Sequence, residues 1–131
     1  MIPKNINILL VDDEVAFANT LAQRLQLRGL KVRLAYNGEQ ALSTIREVGS
    51  DVVVLDLRMP GMDGMEVLKE IKKGNPEIQV IILTGHGTER DAEQAKKFGG
   101  FDFLNKPVDI DTLEQKIKSA FKEKCQQHIN D

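Results

Sequence analysis

The sequence predicts an α/β domain, with five parallel strands in one sheet wound on both faces by five helices. Three observations carry this. Short β-branched or Leu-rich runs alternate with amphipathic segments five times along the chain. Several of the runs are apolar almost throughout, as strands covered on both faces must be. The connections are short, which suits right-handed β-α-β crossovers.

The runs fall at residues 6–11, 31–35, 51–55, 78–83 and 101–104. In the first helical segment Phe17, Leu21 and Leu25 recur every four residues beside Ala18 and Ala22, and Gly29 supplies a stop. Asn37-Gly38 opens a second helix carrying Ala41, Leu42 and Ile45. Asp63 is the expected N-cap of a third, with Val67, Leu68 and Ile71 inward and Gly74-Asn75-Pro76 ending it. A fourth, over 88–98, has only Ala92, Ala95 and Phe98 to bury, so little apolar area ties it down. The fifth begins at Asp109 and carries Ile110, Leu113, Ile117 and Phe121.

The totals narrow the function classes. The 131 residues suit one domain, with a core over about 5–124 and a short tail at 125–131. A net charge of −2, with Lys and Arg interleaved among acids near the C-terminus, gives no reason to expect nucleic acid as a partner. One cysteine, Cys125, excludes an internal disulfide framework and fits a reducing compartment. Cys125 and His128 are too few to hold a metal and read as a helix end. The N-terminus lacks a signal-peptide layout, and no apolar stretch approaches the ~20 residues of a membrane span. A cytoplasmic protein without a membrane partner is expected.

Open parallel sheets bind ligands at the carboxyl ends of their strands. The residues following the predicted strands are therefore decisive. Asp12-Asp13-Glu14 follows the first and Asp56 the third. In the order 2-1-3-4-5 these strands are neighbours, so Asp12, Asp13 and Asp56 converge. Two carboxylates after the first strand exceed what a helix cap needs. Three together repel unless a cation intervenes, and an oxygen-only donor set suits Mg²⁺, with Mn²⁺ as a substitute. Dinucleotide or flavin sites would place Gly or hydroxyl residues there instead. Thr84 ends the fourth strand, and the fifth leads through Asn105 to Lys106-Pro107. A hydroxyl and an ammonium thus join the same rim. Three carboxylates, one of them a nucleophile, with two donors, suit phosphoryl transfer, which needs in-line positioning and neutralisation of charge.

The segments Leu10-Val11-Asp12-Asp13-Glu14, Leu55-Asp56-Leu57-Arg58-Met59-Pro60-Gly61-Met62-Asp63-Gly64, Leu83-Thr84-Gly85 and Asp102-Phe103-Leu104-Asn105-Lys106-Pro107 resemble receiver domains of two-component response regulators. The likeness covers about residues 5–124 and implies the flavodoxin-like order 2-1-3-4-5. It implies that Asp56 accepts a phosphoryl group from a histidine kinase or phosphotransfer protein, as a covalent-carboxylate nucleophile. Asp13 and Asp56 would bind Mg²⁺ directly, Asp12 largely through water, and Arg58 through its backbone carbonyl. Lys106 and Thr84 would contact phosphoryl oxygens, and the Lys106-Pro107 peptide would be cis. Thr84 and Phe103 would form a switch that remodels the fourth helix and fifth strand for a downstream protein or output domain. Many relatives carry Tyr where Phe103 stands.

Other expectations are local. Strand alternation would set Phe101 and Phe103 on one face, with Phe101 as core. Pro60-Gly61 suits a type II turn, with Met62 packing to hold the loop beneath Asp56. Arg58 and His86, two residues after Asp56 and Thr84, would overhang the site and tune the lifetime of the phosphoryl group. No enzyme activity is expected beyond self-phosphorylation and autodephosphorylation of Asp56. Two other readings stay in view. A haloacid-dehalogenase-type phosphatase shares the Asp nucleophile and Mg²⁺, but needs a second acid where Arg58 stands. An unphosphorylated, degenerate receiver would bind partners constitutively.

Overall fold

A computed structural model describes residues 5–130, with side chains over 5–126. The elements run β1 (Asn7–Val11), α1 (Val15–Gln26), β2 (Lys31–Ala35), α2 (Gly38–Val48), β3 (Val52–Leu55), α3 (Gly64–Gly74), β4 (Gln79–Thr84), α4 (Glu89–Lys97), β5 (Asp102–Asn105) and α5 (Ile110–Asn130). All strand pairs are parallel, and the order is β2-β1-β3-β4-β5. Residues 125–130, expected as a tail, continue α5.

Alternation along the strands divides the interior into two cores. Leu9, Val11, Val53, Leu55, Val80 and Ile82 point to one side, against Ala41 and Ile45 of α2 and Val67, Leu68 and Ile71 of α3. Ile8, Leu10, Val52, Val54, Ile81 and Leu83 point to the other, against Leu21 and Leu25 of α1 and Leu113 and Ile117 of α5. β3 and β4 are buried at every position, which explains the wholly apolar spelling of β3 and of residues 80–83, with polar Gln79 and Thr84 only at the two ends of β4. Each such side chain contributes roughly 1.5–3 kcal/mol of burial, so Ile81→Ala at the sheet centre costs about 2–5 kcal/mol.

The caps follow local chemistry. Asn37 Oδ1 accepts the Gln40 N–H at 2.8 Å, and Asp63 Oδ1 accepts that of Met65 at 3.1 Å. Gly29 and Gly61 take φ of +88° and +89°, where a side chain would be strained. For Gly61 that is the third position of the expected type II turn. Of α4, Ala95 alone is buried, and its order at the start rests on a capping box between Thr88 and Asp91.

One local expectation is corrected, and the packing of Met62 is made specific. Phe103 packs on the α2/α3 core, whereas Phe101 packs on the α1/α5 core. Phe101 precedes the first residue of β5, straight after the Gly99-Gly100 turn, so strand alternation does not reach it. Met62 packs against Gly38 at the start of α2. It is Gly64 that lies directly against the Asp56-Leu57 backbone, where an added Cβ would fall 2.5 Å from the Asp56 carbonyl oxygen.

Candidate functional site

Register brings the strand ends to one edge. Val11 pairs with Leu55, Leu55 with Ile82, and Thr84 with Asn105. The Asp56 N–H donates to the Val11 carbonyl at 3.0 Å, and the Lys106 N–H to that of Thr84 at 2.9 Å. Five residues distant in sequence are therefore fixed by backbone hydrogen bonding before their side chains interact.

Oxygens of Asp12, Asp13 and Asp56 all lie within 4.8 Å of one another. Asp12 and Asp56 are 1% and 4% exposed, so their charges have little access to water. Lys106 answers part of that charge. Its Nζ lies 2.8 Å from Asp12 Oδ2, 3.0 Å from Glu14 Oε1 and 3.5 Å from Asp56 Oδ2. Asp12 Oδ1 also accepts the Glu14 N–H at 2.9 Å. Asp13 makes no ion pair among the described residues. Asp12, Asp13 and Asp56, of which Lys106 reaches only the first and last, leave a negative excess, and oxygen donors at this spacing fit a hard divalent cation.

The two partners of the tightest contact titrate in instructive directions. Burial pushes the Asp12 carboxyl above its ordinary value, outweighing the Lys106 hydrogen bond and the Glu14 N–H that favour its anion. Burial also works against the Lys106 ammonium. Hydrogen bonds to Asp12 and Glu14, with the charges of Asp12 and Asp56, overcome it and hold its pKa above the usual lysine value. Several acids together thus outweigh burial for the lysine, whereas one lysine does not outweigh it for Asp12.

Thr84 is the last residue of β4 and wholly buried, set deeper than a rim position. Its Oγ1 has no hydrogen-bond partner. A buried hydroxyl left unpaired costs about 1–3 kcal/mol, and here it stands ready for an acceptor. The Phe103 ring lies against Gly87, whose hypothetical Cβ would fall 2.5 Å from the Phe103 Cζ atom. The Lys106-Pro107 peptide is cis.

Arg58 is placed differently from expectation. Its N–H donates to Asp56 Oδ1 at 3.2 Å, but its guanidinium turns towards the start of α4. There Nη2 meets Asp91 Oδ2 at 3.2 Å and the His86 carbonyl at 3.4 Å. His86 itself is exposed. Cys125 is a free, exposed thiol, and the His128 side chain lies outside the described residues. Two residues that the sequence marks only as a third acid and a helix-core position also reach the site. Glu14 hydrogen-bonds Lys106, and the Phe17 ring lies over its ammonium, 4.3 Å from Nζ to the ring centroid. No local pattern in the sequence marks either contact, because each joins the start of α1 to the loop after β5. Among the described residues no helix is long and apolar enough to cross a membrane.

Comparison with known proteins agrees with this geometry. Residues 8–118 match the model of the response regulator receiver domain. The transcriptional regulatory protein ZraR of Salmonella typhimurium is 42% identical over 120 residues, covering 92% of this chain and 27% of ZraR. The C4-dicarboxylate transport transcriptional regulatory protein DctD of Pseudomonas aeruginosa is 39% identical over 113 residues, 86% of this chain and 24% of DctD. The chain thus spans about a quarter of the length of these relatives. The crystal structure of the receiver domain of NtrX from Brucella abortus superposes with a TM-score of 0.84 at 36% identity, covering 88% of this chain and 98% of that one. A CheY-like receiver domain protein from Methanospirillum hungatei reaches a TM-score of 0.90 at 27% identity, over 95% and 99% of the two chains. Phosphorylation and Mg²⁺ binding are characteristic of the family so matched. With the strand order, the clustered acids and the family match in agreement, this chain belongs to the response regulator receiver domains.

Proposed function

We propose that the chain is a phosphorylation-driven switch in which Asp56 accepts a phosphoryl group from a histidine kinase or phosphotransfer protein. The observation that carries this is Thr84 Oγ1, buried without a partner beside a cluster of three acids and one lysine. An Asp56 oxygen attacks phosphorus, the bond to the donor's leaving group breaks, and that group keeps the electron pair. Asp12, Asp13, Asp56 and the Arg58 carbonyl would hold Mg²⁺, which when bound supplies neutralisation of charge between carboxylate and phosphoryl oxygens. Lys106, already 3.5 Å from Asp56, pairs with one phosphoryl oxygen. Thr84 donates its free hydrogen bond to another.

That donation draws the Thr84 hydroxyl towards the phosphoryl group and opens room for the Phe103 ring. Phe103 lines a groove of about 340 Å³ with Ala92, Ala95, Lys96, Phe101 and Asp102. Asp102 is in turn bridged to Lys116 of α5. The face formed by α4, β5 and α5 is therefore the output surface, for a downstream protein or an attached output domain. Arg58 and His86, on the loops after β3 and β4, tune the lifetime by shielding or orienting water, which requires the Arg58 guanidinium to leave its contact with Asp91.

Incubation of the chain with acetyl phosphate, with and without Mg²⁺, followed by intact-mass measurement, tests the reading. One phosphoryl group should be gained with Mg²⁺, and none by Asp56→Asn. Absence of any gain would favour a degenerate receiver. Catalytic consumption of acetyl phosphate by Asp56, far faster than a bound phosphoryl group accumulates, would favour a phosphatase.

A further inference from the structure

The arrangement around Lys106 points to a role for α1 that goes beyond packing. Its ammonium touches three carboxylates of unequal kind. The Asp12 side chain is 2% exposed and lies closest, the Glu14 side chain is 64% exposed, and the contact to Asp56 is the loosest at 3.5 Å. Glu14 is the N-cap residue of α1, yet its side chain makes no capping hydrogen bond and turns to Lys106 instead. An exposed acid on one side draws a flexible lysine outward, away from the position needed at Asp56. The Phe17 ring opposes this. It sits over the ammonium and keeps that side of Lys106 out of water, where attraction to the inner acids is stronger. The Lys106 side chain is only 11% exposed.

We propose that Phe17 is a positioning residue for the reaction, holding the Lys106 ammonium inward so that its loosest ion-pair contact faces the phosphoacceptor. This rests on the reading of Asp56 as that acceptor. Leu at position 17 keeps the apolar packing of α1 but lacks a ring face, whereas Tyr keeps the face. The two variants therefore separate positioning from packing.

The test follows the rate of phosphoryl gain by the full chain with Mg²⁺ and varied acetyl phosphate, read by intact mass. Phe17→Leu should slow the limiting rate by about two- to fivefold, the size of a partly exposed cation–π contact. Phe17→Tyr should keep the wild-type rate, and Phe17→Met replaces Leu if the Leu variant fails to melt cooperatively. In a Lys106→Met background the Leu substitution should have no further effect, because the ring acts through the ammonium. A Leu variant as fast as wild type, a Tyr variant as slow as Leu, or an undiminished Leu effect without Lys106 would overturn the inference. Wild-type protein that gains no phosphate would instead overturn the reading of Asp56.

Discussion

Thr84 shows how one atom can be costly and useful together. Its hydroxyl has nothing to bond within a fully buried setting, so the resting fold bears a desolvation cost. Thr84→Val removes that hydroxyl while keeping the branched shape. Thermal melting of the unphosphorylated variant should show equal or greater stability, with a gain on the order of 1 kcal/mol. The rate of phosphorylation should fall about tenfold, the worth of a hydrogen bond to a charged group. A clear loss of stability would mean that the hydroxyl has a partner in solution. Asp12 and Lys106 carry a related lesson. The contact between them favours both charges, yet burial still raises the Asp12 carboxyl, while Lys106 has Glu14 and Asp56 as further acids to hold its charge.

Among the elements, α4 is the least secured by burial. Its hold on the domain comes from Ala95 and from polar contacts at its first turn, where Asp91 accepts the Thr88 N–H and meets Arg58. Asp91→Ala removes both at once. Hydrogen exchange over residues 88–93 should accelerate by an amount matching about 1 kcal/mol, the usual worth of a cap, while α2 and α3 stay unchanged. Equal protection in variant and wild type would show that packing alone fixes the helix. The thinness of α4 was legible in the sequence, as were the five strands and the caps at Asn37 and Asp63, because periodicity and capping are local. The strand-end acids were legible because topology alone places them. What the sequence did not disclose depends on side chains meeting across elements. Arg58 reaching Asp91 is one such contact, and Phe17 over Lys106 is another. Phe101 was misread because the strand starts one residue later than the apolar run, which follows the Gly99-Gly100 turn directly.

At the scale of the molecule, two cores clamp a rigid sheet, and the acids, Thr84 and Lys106 stand at one edge of it. The opposite edge is tied separately, where Lys124 of α5 meets Asp51 at 2.7 Å and Asp51 accepts the Asn7 N–H. The central strands β3 and β4, buried at every position, leave little freedom to bend, so in the proposed switch change at the site passes through the loop after β4 into α4 and β5. Backbone amide spectra of the Mg²⁺-loaded chain, recorded with and without beryllofluoride as a phosphoryl stand-in, give the sharpest check of this coupling. Shifts are expected at Asp13, Asp56 and Thr84 and onward through residues 85–105, with no such response from Asp56→Asn. Shifts confined to the loops after β1 and β3, with α4 and Phe103 silent, would contradict it.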